Sequence, residues 1–205
     1  MGRKSDAKER LLEAISDLMW ESSYGTLTID VICERAGVKK GSFYYFFDSK
    51  SELAAEAIRE RWEAKKPKMN TFFSATRPPL ERLKAYFDDV KRTQLEAFDI
   101  HGRILGCPNF SVGAEISGAA PELAKKLQGP FSDLLKYIES AIRDAQSVGL
   151  INVADPAMSA RCVLGFFEGV LTHAQVRNDP ALLVDIWPGT LQMLGVAPDA
   201  TAQAA

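Results

Sequence analysis

Between Thr28 and Lys50 the chain collects side chains of the types that grip and read a nucleic-acid duplex: Thr28, Lys39, Lys40, Ser42, Tyr44, Tyr45 and Lys50. Ammonium and hydroxyl groups hold phosphates, and serine and tyrosine can also reach base edges. To act together they need a short helix, Lys39 to Phe47, presented by its neighbours. Thr28 is placed to cap a preceding helix whose apolar positions Ile29, Ile32 and Cys33 face one way. Ala36-Gly37-Val38 supplies the tight turn, with Gly37 as the stop. Phe46-Phe47 would anchor the second helix to a core. Ser49-Lys50-Ser51-Glu52 is a capping box that opens another helix and sets Lys50 at an amide-rich start suited to a phosphate. The layout is a helix-turn-helix followed by a capped helix, with Thr28, Tyr44 and Lys50 expected on phosphates. Lys39, Lys40, Ser42 and Tyr45 are expected at the groove, with Ser42 and Tyr45 first for base contact.

Charge supports this only locally. The formal net charge of the 205 residues is -2, and residues 1–66 hold 12 Lys plus Arg against 12 Asp plus Glu. Between positions 35 and 50, however, Arg35, Lys39, Lys40 and Lys50 face only Asp48. Such a small basic face predicts modest affinity for random DNA. Arg3 and Lys4 could add an N-terminal arm. Nucleotide-binding glycine loops, H-E-x-x-H and recognisable nucleophile turns are lacking, so no enzyme is expected. His101 and His173 have no carboxylate or cysteine at ligand spacing, and neither metal nor cofactor is expected. Cys33, Cys107 and Cys162 are odd in number and widely separated, which argues against a disulfide framework. No apolar stretch approaches the roughly 20 residues of a membrane span, and the N-terminus is polar, so a cytoplasmic protein with no membrane partner is expected.

The periodicity is helical throughout and predicts an all-α chain of about nine helices. Ala7, Leu11, Leu12, Ile15, Leu18 and Met19 mark a first helix from a Ser5 cap to about Ser22. The helix after Ser49 is expected to stop near Lys66, before Pro67. Another opens near Pro79, Gly102 to Pro108 breaks the pattern, and Pro121 to Val148 should be kinked or split at Gly129-Pro130. From Pro156 to Val176 an apolar stripe accompanies Gly165 and Gly169, which would permit close helix approach. A last helix begun by Asp179-Pro180 is expected to bend at Pro188. Two such helices per chain can form a four-helix interface across a two-fold axis, with Val163, Phe167, Val170, Leu183, Trp187 and Leu191 at the seam. Intramolecular core is the competing reading of that stripe.

Residues Lys8 to Leu53 resemble the N-terminal DNA-binding domain of the TetR family of bacterial transcriptional regulators. Thr28, Ala36-Gly37-Val38, Ser42, Tyr44, Phe46-Phe47 and Ser49-Lys50 with Leu53 carry the resemblance. It implies an N-terminal three-helix bundle over residues 1–53, a C-terminal ligand-binding and dimerisation domain over 54–197, and leaves 198–205 as a disordered tail. It also implies a homodimer on double-stranded operator DNA, a repressor released from a palindrome by a small-molecule effector of unknown identity. A cavity in the second domain would draw on Phe87, Phe110, Phe131, Tyr137, Phe166 and His173, with Phe72, Phe73 and Tyr86 as further aromatics. Ordinary core packing competes for each aromatic. Cys107, ahead of Pro108, would cap a sixth helix, where the helix dipole favours a thiolate. With Ala114-Glu115 it resembles a branch of the family in which some members sense electrophiles or oxidants. Thiol sensing at Cys107 is therefore the alternative function; an enzyme or a non-DNA interaction module are the others.

Overall fold

The computed structural model describes residues 2–116 and 121–196, and for 2–5, 121 and 122 the backbone alone. The tail expected from residue 198 lies outside the described residues. These form α1 (Gly2–Glu21), α2 (Ile29–Ala36), α3 (Lys40–Phe46), α4 (Lys50–Phe72), α5 (Pro79–His101), α6 (Pro108–Ile116), α7 (Pro121–Ser147), α8 (Pro156–Arg177) and α9 (Ile186–Met193). Short 3₁₀ turns at Tyr24–Thr26 and Pro180–Asp185 precede α2 and α9. The fold is all-helical, with no strand among the described residues. No helix among them is long and apolar enough to cross a membrane.

The chain groups into two compact units: Met1–Lys65 with Cys107–Pro130, and Lys66–Gly106 with Phe131–Ala205. In the first, α1 packs against α2, α3 and α6, and α6 meets the 3₁₀ turn. Leu11, Ile15, Ile32, Phe43 and Leu53 are fully buried in its core, which also takes in Val112, Ile116, Leu123 and Leu127. The N-terminal bundle thus borrows apolar side chains from positions 112 to 127, beyond the reach of any local pattern. The second unit is centred on Leu83, Phe87, Ile138, Ile142, Val163 and Phe167.

Local capping follows the residues that predict it. Thr28 accepts from Val31 N–H at 3.2 Å. Gly37 takes the left-handed conformation at φ 61°, and Val38 N–H closes back on Cys33 O at 3.0 Å, the paired closure that ends α2. Ser49 Oγ accepts from Glu52 N–H at 3.1 Å, while the Glu52 carboxylate reaches Asp48 N–H at 2.7 Å, one residue before the cap. Asp155 and Asp179 cap α8 and the second 3₁₀ turn.

Prolines and the first cap behave otherwise than expected. α1 opens at Gly2, ahead of Ser5. α4 runs through Pro67 to Phe72. Proline removes one ladder bond, but beyond it Met69 is buried and Lys66 and Lys68 pair with Asp133 and Asp89. α7 is not split at Pro130, the second of the two outcomes expected there, and runs on as one helix with buried Leu123 and Leu127 on one side and Leu134 and Ile138 on the other. Near the C-terminus the break falls at Asp185–Ile186 rather than at Pro188, which stands in the first turn of α9, where its missing N–H would have no helical partner.

Candidate nucleic-acid interface

α3 contains five consecutive aromatics with Phe47 counted, and geometry sorts them. Phe43 and Phe47, four residues apart, are buried and lock the helix to the core; Phe46 is half-buried against it. Tyr44 and Tyr45 remain 54% and 64% exposed, too open for packing to explain them. The Tyr45 ring stands edge-on to Phe46 at 4.8 Å, which limits its rotation and costs a contact less entropy. Ser42 is half-buried beside them, and Lys39 and Lys40 are exposed at the start of the same helix. One short helix therefore presents two phenols, a hydroxyl and two ammonium groups on its outer side.

The basic character of this face is smaller than the sequence window implied. Lys40 Nζ lies 2.8 Å from Asp30 on α2, and that hydrogen bond holds its ammonium above the ordinary lysine value. Arg35 is paired with Glu21 of α1 at 2.9 Å. Lys50 points into the fold: its Nζ donates to Tyr24 O at 2.8 Å and Leu27 O at 2.7 Å and stands 4.2 Å from the Tyr24 ring centre. Burial pushes its ammonium below the ordinary value, and the Glu115 carboxylate pulls it back up. Two of its three N–H donors are thus spent on the turn before α2.

Glu115 is the residue of this region that the sequence did not single out for a structural role. On α6, it accepts from Ser23 Oγ at 2.6 Å, from Tyr24 N–H at 3.0 Å and from Gly25 N–H. About ninety residues separate it from that turn, so no local signal announces the contact.

Two family profiles match the chain: bacterial regulatory proteins of the tetR family over residues 11–57, and the tetracyclin-repressor-like C-terminal domain over residues 79–188. The chain belongs to the TetR family. A helix-turn-helix-type transcriptional regulator from the lacX 3′ region of Lactococcus lactis subsp. lactis is 28% identical over 177 residues, covering 85% of this chain and 86% of the other. The helix-turn-helix-type transcriptional repressor DhaR of Mycobacterium sp. strain GP1 is 25% identical over 178 residues, covering 86% of each. The crystal structure of regulatory protein TetR from Rhodobacter sphaeroides shares the fold at a TM-score of 0.79 and 23% identity, over 91% of this chain and 98% of the other. The protein is a TetR-family helix-turn-helix transcriptional regulator.

The residues expected at a TetR effector cavity are shared between the two units. Phe87 stacks on Phe167 at 4.8 Å, Tyr86 lies 5.7 Å from Phe167 and 6.0 Å from Phe73, and Phe73 lies 5.2 Å from Tyr137. Phe87 and Tyr137 thus share one aromatic cluster in the second unit. Phe131 and Phe166 are half-buried in that unit. Phe110 is 42% exposed on α6, because the buried face of that helix is Val112 and Ile116 and Phe110 lies roughly 200° round from Val112. Cys107 is half-buried, and its carbonyl accepts from Ser111 N–H at 3.0 Å, the cap position expected for it. Both belong to the first unit. His173 is exposed on α8, two positions past buried Leu171 and so on the opposite side of the helix.

The expected dimer seam also divides. Val163, Phe167 and Leu183 are 0–1% exposed within the single chain, so they are its own core and not a surface for a partner. Val170, Trp187 and Leu191 are half-buried. A Cβ on Gly165 or Gly169 would meet nothing within 4 Å, whereas one on Gly189 would run into the Phe166 ring. The close approach of α8 and α9 within the chain is made at Gly189.

Proposed function

We propose that this TetR-family regulator is a repressor that holds a palindromic operator as a homodimer and releases it when a small organic effector binds its C-terminal unit. The observation that carries the DNA reading is α3, anchored by Phe43 and Phe47 while Ser42, Tyr44 and Tyr45 face outward. In this reading Tyr44, Thr28, Lys39 and Lys40 position the helix on phosphates and Ser42 with Tyr45 reads base edges. Lys50 supports them from behind, with one donor left over for a phosphate. Repression follows the name of DhaR, and the cytoplasm is where such an operator lies.

The dimer face of this proposal is the open side of α8. Met158, Cys162, Gly165, Gly169, Thr172 and Val176 are exposed and recur at steps of three and four, an uncharged stripe that includes Val176 at 79% exposure. Its two glycines admit a second helix closely. The half-buried Val170, Trp187 and Leu191 would border the contact. The effector class favoured by Phe73, Tyr86, Phe87, Tyr137 and Phe167 is a small apolar or aromatic molecule. By linkage it must bind the DNA-incompetent state more tightly than the DNA-competent one.

Selection from a random duplex library tests this reading. The wild-type protein should enrich a two-fold symmetric sequence whose half-sites lie about 34–36 Å apart, or a multiple of that. Enrichment of no sequence, or of a single asymmetric half-site, would overturn it.

A further inference from the structure

The turn that enters the helix-turn-helix is held by opposite charges at its two poles. At the amide pole, Glu115 accepts from Ser23 Oγ at 2.6 Å, Tyr24 N–H at 3.0 Å and Gly25 N–H. At the carbonyl pole, Lys50 Nζ donates to Tyr24 O and Leu27 O. An anion at the amide end and a cation at the carbonyl end are the arrangement that stabilises aligned peptide dipoles. Gly25 is fitted to it: a Cβ there would stand 2.5 Å from Glu115 Oε1, so a larger residue must push the carboxylate away. That displacement is cheap for the rest of the fold, because the obstacle is the end of a flexible side chain. Thr28, whose hydroxyl caps α2, follows the turn after a single buried residue, Leu27. The place of the turn therefore sets the start of α2.

We propose that Glu115 is a positioning residue for DNA recognition: through it α6 grips the entry turn, and α2 and α3 keep their operator-reading orientation while that grip is closed. The proposal rests on the DNA reading above and adds a residue to it that touches no DNA. Val112 and Ile116 bury the same helix in the core of the unit, so α6 is a firm base from which the carboxylate can act.

The experiment uses the full chain and the duplex enriched by the wild-type protein; that enrichment, read first, tests the regulator reading, and the variants then test the grip. Affinities of Glu115→Ala, Glu115→Gln, Gly25→Ala and the Gly25→Ala/Glu115→Ala double variant are measured by fluorescence anisotropy. Tm and amide hydrogen exchange at Tyr24 and Gly25 are followed alongside. Glu115→Ala and Gly25→Ala should each weaken the selected duplex about tenfold, toward the lower end of the range for coupling between sites. Random-duplex affinity and salt slope should stay at wild-type values, and exchange at both amides should speed up. The double variant should be no weaker than the singles, since both remove one contact, and Glu115→Gln, which keeps one acceptor oxygen, should recover part of the loss. If Glu115→Ala does not fold, Gly25→Ala leaves the sequence of α6 unchanged, displaces only the Glu115 carboxylate and makes the same comparison. A lower Tm with unchanged affinity for the selected duplex overturns the proposal, as do additive losses in the double variant or a parallel loss of random-duplex affinity.

Discussion

Lys40 can lend its charge to a phosphate only by giving up Asp30, 2.8 Å away and itself exposed at the start of α2. A carboxylate in that place both neutralises the lysine and repels the DNA backbone. Asp30→Asn should therefore tighten binding to selected and random duplexes alike by roughly a few fold, and steepen the salt dependence by about one unit of slope as one more phosphate is neutralised. The same change removes an anion from the amide end of α2 and should cost about 0.3–1 kcal/mol of stability, seen as a small fall in Tm. Anisotropy titrations over a range of salt check the first outcome, and unchanged affinity and slope would take Lys40 out of the DNA contact. Lys50 carries the complementary lesson: a lysine at a helix start has the right charge for a phosphate, but its long stem lets the ammonium reach backward and commit two of its three donors to Tyr24 and Leu27.

At the scale of the helices, the end of α4 past Pro67 is tied to α5 by charge. Lys68 donates to Asp89 at 2.7 Å, and Arg92, one turn further along α5, donates to the same carboxylate at 2.6 Å. Burial pushes the Asp89 carboxyl up, but the hydrogen bonds from Lys68 and Arg92 outweigh it and leave it below the ordinary aspartate value. With the folded value depressed, the unfolded chain takes up the proton first as pH falls. The stabilisation is then complete above the unfolded value of about 3.9 and is lost as pH drops through the lower folded one. Asp89→Asn should accordingly melt below the wild type near neutrality and converge with it in acid. Thermal melts across pH 2 to 7 decide this; a gap that stays constant would mean that packing, not charge, holds Asp89.

For the whole molecule the decisive surface is the open face of α8. Phe167, which its spacing offered as a seam residue, is stacked on Phe87 inside the chain, and a charge there would unfold the second unit before it could report on assembly. Gly169 is the better probe because a Cβ placed on it meets nothing within 4 Å beyond its own turn of helix. Gly169→Glu should leave the protomer folded, and even gain roughly 0.5–1 kcal/mol from replacing a mid-helix glycine. The charge would meet the partner's α8, so light scattering should show monomers and operator affinity should collapse. A dimeric Gly169→Glu protein would move the interface off this stripe.

What the sequence determined by itself is what is settled within a few residues. Thr28, Gly37, Ser49 with Glu52, Asp155 and Asp179 start and stop helices through bonds to amides and carbonyls at most five positions away, so the helix-turn-helix and most helix boundaries were legible. The run Phe43 to Phe47 was legible only in part: Tyr44 and Tyr45 were expected outward and Phe46-Phe47 inward, but five adjacent aromatics carry no periodicity, and it is the packed core that makes Phe43 the second anchor beside Phe47 and leaves Phe46 half-buried. Helix periodicity finds an apolar stripe on α8 but cannot say whether its own chain or a second copy covers it, and the structure gives Val163 and Phe167 to the chain. Partners far away in sequence were likewise invisible: Asp30 for Lys40, Glu21 for Arg35, and Glu115 for the turn at Tyr24. Those pairings follow from how the helices stack, and it is the stack that decides which of the cations between Arg35 and Lys50 are left to meet DNA.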